Sequence, residues 1–188
     1  TKKLINSVYE ESKAAKKMIH WVQLSSCGAY GPPPKNNIQI KRVITEASKN
    51  NPINEYERTK TKSDELVIDA SADGIMTYTI LRPTNVIGTL MTNDSIRKLI
   101  KLVNSGCFLF IGKKDAIATY VHVDDVVKAM IMIARNLKSR NEIFNISNDC
   151  SWEALIFQIS LILNVKILPI RIPYVAIEIP LYIVKFII

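Results

Sequence analysis

At 188 residues, with 48% hydrophobic and 22% charged residues, the chain has a globular composition long enough for one sizeable domain, which excludes disordered and fibrous classes. The formal net charge of +8 comes from Lys and Arg spread along the sequence; this reads as a solvated surface, with no basic stripe interleaved with aromatics to suggest nucleic acid. Cys27, Cys107 and Cys150 are odd in number and lack CxxC spacing, so neither a disulfide framework nor a zinc site follows, and a reducing, cytoplasmic setting fits.

In chain order, Leu4, Val8, Ala14, Met18 and Ile19 form a loose apolar stripe that predicts a helix over residues 2 to 18. Trp21 to Ser26 reads as a short buried strand ending on two hydroxyls. Gly31-Pro32-Pro33-Pro34 opens a loop running to about Asn54, and loops of that length are usually functional. A helix is expected over residues 55 to 72, then a strand from Met76 to Leu81 and a turn at Arg82-Pro83-Thr84-Asn85.

Helix returns from Asp94 to Asn104, and short strands are expected at Phe108 to Ile111 and Ala118 to His122. Asp124-Asp125 stands at the cap position of a helix from Val126 to Ala134. A strand Phe144 to Ser147 and a helix Ser151 to Leu163, capped by Ser151, complete the pattern. The apolar tail from Ile172 to Ile188, interrupted by Glu178, Pro180 and Lys185, reads as a buried or surface-packed helix, short for a membrane span. Strand–helix–strand alternation makes the class α/β with a mainly parallel sheet.

Tyr56 and Lys60 stand four apart, on one face of the expected helix. An ammonium beside a phenol favours the phenolate, which suits Tyr56 to carry a proton. Ser26 can then orient a substrate oxygen beside it.

Taken together, the segments Val22 to Gly31, Pro52 to Lys60, Leu81 to Gly88, Tyr120 to Val126 and Phe144 to Ser147 resemble the extended short-chain dehydrogenases/reductases, specifically the NAD-dependent epimerase/dehydratase group that acts on nucleotide sugars. Val22 to Gly31 is similar to that family's strand ending in two serines and a later Tyr-Gly; Pro52 to Lys60 resembles the entry to its catalytic helix. Leu81 to Gly88 resembles its LRPxNVxG turn, Tyr120 to Val126 its YVHVDDV segment, and Phe144 to Ser147 the following strand. The resemblance covers residues 1 to about 150 and implies a Rossmann-like doubly wound sheet. The implied division is a catalytic portion over 1–92 and a substrate-binding portion over 93–188, with sheet-completing elements around 118–147.

It implies roles as well. Ser26 takes the catalytic hydroxyl position, Tyr56 the acid/base tyrosine, and Lys60 the lysine that also binds the nicotinamide ribose. Thr84 falls at the nicotinamide end of the cofactor, NAD or NADP, and Asn85 where a nucleotide-sugar substrate is touched. A homodimer is implied too. His122 and Asp125 serve local structure, and Cys27 reads as a small packing residue.

Two departures qualify the resemblance. No glycine-rich dinucleotide fingerprint is present, so the sequence is expected to be the catalytic half onward, inactive and without cofactor affinity by itself. Ala118 stands four residues before His122, where many nucleotide-sugar epimerases carry a diphosphate-clamping Arg, and Lys113 or Lys114 would substitute only as a point charge. Ala118 therefore leaves open an NADPH-dependent ketone reductase of the same superfamily, beside a non-catalytic remnant.

Overall fold

The computed structural model describes residues 1–33, 42–174 and 176. Its elements run α1 (Lys2–Ala15), β1 (Ile19–Leu24), α2 (Glu55–Ala70), β2 (Met76–Pro83), β3 (Asn85–Ile87), α3 (Ser95–Asn104), β4 (Phe110–Ile111), β5 (Ile117–His122), α4 (Val123–Arg135), β6 (Glu142–Ile146), β7 (Asn148–Ser151), α5 (Trp152–Leu163) and β8 (Arg171–Ile172). Short 3-10 turns lie at Cys27–Tyr30 and Leu137–Ser139. The class is α/β, as expected. Packing divides the chain into two units, Thr1–Gly88 with Tyr120–Ser147, and Thr89–Thr119 with Asn148–Ile188.

In the first unit, β1, β2 and β6 form a parallel sheet in the order β1-β2-β6. Helices α2 and α4 both pack on β1 and β2. They cover opposite faces, because successive strand residues alternate sides. Leu81 joins the apolar cluster of Val121 and Val126 with the α4 residues Ala129, Met130 and Ile133. Arg82, the next residue, meets Asp64 of α2 instead. Cover on both sides explains why β2 is buried along nearly its whole length and shows no polar alternation.

Several boundaries differ from the sequence expectation, and three of the differences have a local cause. Helix α1 stops at Ala15 because Lys16 turns left-handed (φ 50°) and closes the end with bonds to Lys13 and Ser12 carbonyls. The expected turn over residues 82 to 85 shrinks to Thr84, because Arg82 and Pro83 stay in β2 opposite Asn145 and Ile146, and Asn85 opens β3. A proline at the last strand position forfeits little, since its missing N–H lies at the end of the ladder. β3 then pairs in parallel with Tyr120–His122 of β5. The cap of α4 is His122, whose Nδ1 accepts from the Asp124 N–H at 3.3 Å, leaving Asp124 and Asp125 in the first helical turn. Carboxylates there still favour the positive end of the helix dipole.

The second unit has its own core. Val103, Phe108, Phe110 and Ile156 are buried together, with Leu99, Trp152 and Ile159 packed against them. Helix α5 begins at its expected cap, Ser151, which accepts from the Ala154 N–H at 3.1 Å. β4 pairs in parallel with β8, a strand the sequence did not announce. Arg171 of β8 lies over the Phe110 ring at 5.0 Å, donates to the Gly112 and Lys113 carbonyls, and pairs with Glu153. Most of the expected C-terminal helix lies outside the described residues. Among those described, no helix is long and apolar enough to cross a membrane.

Gly31 joins the Cys27–Tyr30 turn to the following loop at φ 62°, ψ 178°, a backbone region open essentially to glycine alone. A Cβ there would stand 1.9 Å from the Asn51 carbonyl oxygen, whereas one at Gly74 (φ 77°) meets nothing within 4 Å. In urea unfolding, Gly31→Ala is expected to cost at least about 2 kcal/mol more than Gly74→Ala. Equal costs would show that the loop yields freely at Asn51.

Candidate active site

Ser26 lies two residues past the end of β1 and caps the Cys27–Tyr30 turn, its Oγ accepting from the Gly28 N–H at 3.1 Å. The turn packs against α2. Tyr30 at its end is fully buried and donates to Asn145 Oδ1 at 3.0 Å, tying the turn to β6. Residues 42–51 contact this turn and β6. Arg42 donates to the Tyr30 and Gly31 carbonyls, the Asn51 N–H to the Ala29 carbonyl, and the Asn145 N–H to Glu46.

Helix α2 starts firmly. Asn54 accepts from the Glu57 N–H at 2.9 Å, while Glu57 Oε2 accepts from the Ile53 N–H at 2.8 Å, a reciprocal cap. This fixes Tyr56 in the first turn, where the residue is 58% exposed. One turn later, Lys60 Nζ lies 5.9 Å from the Tyr56 ring centroid and donates to the Leu24 carbonyl at 3.1 Å. Lys60 thus spans from the tyrosine to the end of β1, two residues before Ser26. A phenol, an ammonium and a hydroxyl gather at the carboxyl end of a parallel strand, where open α/β sheets bind ligands.

Thr84 and Asn85 lie at the end of the next strand. The Thr84 N–H donates to the Ile146 carbonyl at 3.0 Å, and its Oγ1 meets Ser147 Oγ at 3.0 Å. Asn85 is exposed at the first position of β3, opposite Tyr120. All five residues picked from the sequence belong to the first unit. Ala118, by contrast, is buried at 3% exposure on β5.

The sequence reading did not single out Asp64. It lies four residues beyond Lys60, so Tyr56, Lys60 and Asp64 share a helix face, and that spacing was the available signal. Its Oδ2 accepts from Ser25 Oγ at 2.7 Å and from Arg82 Nε and Nη2 at 3.1 and 3.0 Å. Arg82 also donates to Asn50 Oδ1 at 3.2 Å and stacks on the Tyr30 ring at 4.9 Å. Burial pushes the Asp64 carboxyl above the usual carboxylate range, opposed by the Ser25 hydrogen bond and by Arg82. Cys27 points inward and donates to the Arg82 carbonyl, in keeping with a packing residue.

Residues 4–147 match the NAD dependent epimerase/dehydratase family. A putative UDP-arabinose 4-epimerase 2 from Arabidopsis thaliana is 35% identical over 79 residues, 42% of this chain and 18% of that protein. Human short-chain dehydrogenase/reductase family 42E member 1 is 28% identical over 91 residues, 45% of this chain and 23% of that one. Among solved structures, UDP-glucose 4-epimerase from Thermotoga maritima with UDP-glucose superposes at TM-score 0.64 and 22% identity, covering 90% of this chain and 55% of its own. UDP-glucuronic acid 4-epimerase from Bacillus cereus with NAD does so at 0.65 and 18%, covering 88% and 54%. The matched region spans about a fifth of the curated relatives' length and about half of the solved chains. The fold is the Rossmann-like fold of these enzymes, and the chain belongs to the NAD-dependent epimerase/dehydratase family.

Proposed function

We propose that this chain carries the proton-transfer residues of an epimerase that acts on a nucleotide sugar through a keto intermediate. The supporting observation is Lys60, which reaches from beside the Tyr56 ring to the carbonyl two residues before Ser26. The 4-epimerase relatives add the substrate class.

The donor set suits the nicotinamide end of NAD or NADP: Tyr56 and Lys60 would hold its ribose, with Thr84 at the adjoining strand end. When bound, the cofactor supplies the hydride acceptor and, on return, the hydride donor. The residues of this chain handle the oxygen. Ser26 donates a hydrogen bond that orients the sugar hydroxyl, and Tyr56 as phenolate takes the proton from that oxygen as the carbon loses hydride. The Lys60 ammonium stabilises the phenolate before transfer. Reduction of the ketone on its opposite face would invert the carbon, with Tyr56 giving the proton back to the oxygen. Asn85, exposed nearby, would contact the sugar nucleotide.

In the protein encoded in full, Tyr56→Phe is expected to lower kcat for UDP-sugar interconversion by about 10²–10⁴-fold. Turnover within twofold of the unsubstituted protein contradicts the assignment. The 188-residue chain has no glycine-rich turn for the pyrophosphate. Calorimetric titration of this chain alone should therefore give a Kd for NAD weaker than about 1 mM, and a micromolar value would show a site of another kind.

A ketone reductase remains the second reading, favoured by the buried Ala118 and by the family 42E relative. Consumption of NADPH with a ketone, and no interconversion of UDP-sugars, decides for it.

A further inference from the structure

Three side chains around Ser26 have no part in the chemistry above, yet they are among the most buried polar groups of the first unit. Ser25 is 3%, Asp64 1% and Arg82 2% exposed. We propose that Asp64 is a positioning residue that fixes the orientation of the Ser26 hydroxyl, acting through Ser25 on one side and through Arg82 and Tyr30 on the other. The catalytic half of this proposal rests on the reading of Ser26 given above.

Ser25 and Ser26 are consecutive, so locking one restricts the other. Ser25 is locked twice: its N–H donates to the Leu81 carbonyl at 2.8 Å and its Oγ to Asp64 at 2.7 Å. A hydrogen bond to a buried carboxylate is of the stronger, charge-assisted kind. The second arm leaves the same oxygen. Asp64 Oδ2 holds the Arg82 guanidinium, which stacks on Tyr30, the last residue of the turn that Ser26 caps. The Cys27–Tyr30 turn is thus held at both ends from one carboxylate oxygen. The Ser26 Oγ, already accepting from Gly28, retains its own proton to donate toward a substrate oxygen.

That carboxylate sits on the helix carrying Tyr56 and Lys60, one turn beyond Lys60 and about 40° further round the helix. Any roll of α2 that moved Tyr56 would strain the Asp64 bonds. Conversely, losing the Ser25 hydroxyl frees the Ser26 end while leaving the ion pair intact. A merely structural role for Ser25 would lower stability without a specific effect on Ser26.

Amide hydrogen exchange in the full chain separates the two, because the Gly28 N–H reports the Ser26 Oγ it donates to. In Ser25→Ala, Gly28 is expected to exchange at least about tenfold faster while Ile80 in the core of β2 is unchanged, and Ser25→Thr should restore the protection. Unchanged Gly28 exchange in a folded Ser25→Ala variant overturns the proposal, as does equal acceleration at Gly28 and Ile80. Turnover of UDP-sugars by the protein encoded in full gives a second test. Ser26→Ala and the Ser25→Ala/Ser26→Ala double variant should have the same kcat within about twofold, since Ser25 acts only through Ser26. Losses that multiply contradict it. If Ser26→Ala keeps full turnover while Gly28 still loses protection in Ser25→Ala, the catalytic reading of Ser26 fails and Asp64's hold on its orientation stands.

Discussion

Two opposite charges sit where water does not reach, the Asp64 carboxylate on α2 and the Arg82 guanidinium on β2, with side chains 1% and 3% exposed. Removing either charge from water costs several kcal/mol, and their mutual attraction offsets this only when the geometry is good and the remaining donors are satisfied. Here most of them are. Arg82 bonds Asp64 through two nitrogens and Asn50 through a third, and its face lies on Tyr30. Asp64 concentrates its bonds on one oxygen, and among the described residues Oδ1 has no partner. That arrangement tolerates little displacement, because any shift leaves a buried charge less well paired.

The pair constrains four segments at once: the end of β1 through Ser25, the turn through Tyr30, the loop through Asn50, and β2 itself. Each borders a candidate residue. Ser26 follows the β1 end, Tyr56 and Lys60 precede Asp64 on its helix, and Thr84 and Asn85 follow Arg82. A buried ion pair is weak evidence for net stability, since apolar residues of equal volume can serve as well. Its value here is directional, as it fixes how helix, strand and turn are phased.

Much of this was legible in the sequence because local rules and tertiary packing agree. Ser151, before α5, is the side-chain cap that local chemistry favours. Tyr56 and Lys60 were legible as a spacing and Ser26 from the segment around it, and Lys60 reaches from the Tyr56 ring to the end of β1 near Ser26. What was not legible depends on partners distant in sequence. β8 is two residues long and exists because Phe110 pairs with Arg171. Pro83 reads as a turn former until β6 is seen opposite it. His122 is an unusual cap, so the more ordinary aspartates beside it drew the assignment. Asp64 lay hidden because an acid on a helix is ordinarily a surface residue, and only Arg82, eighteen positions on, makes burial tolerable.

The coupling between the two charges is the most direct measurement of their hold on the fold. Urea unfolding of Asp64→Leu, Arg82→Met and the double variant gives it as a thermodynamic cycle. If the pair holds these elements together, each single substitution costs about 3–5 kcal/mol, because it strands the other charge in the interior. The double variant should then lose less than the sum of the singles by at least about 2 kcal/mol. Costs that add to within about 0.5 kcal/mol would mean that the two side chains are held independently. The phasing of α2 against β1 and β2 would then need another cause.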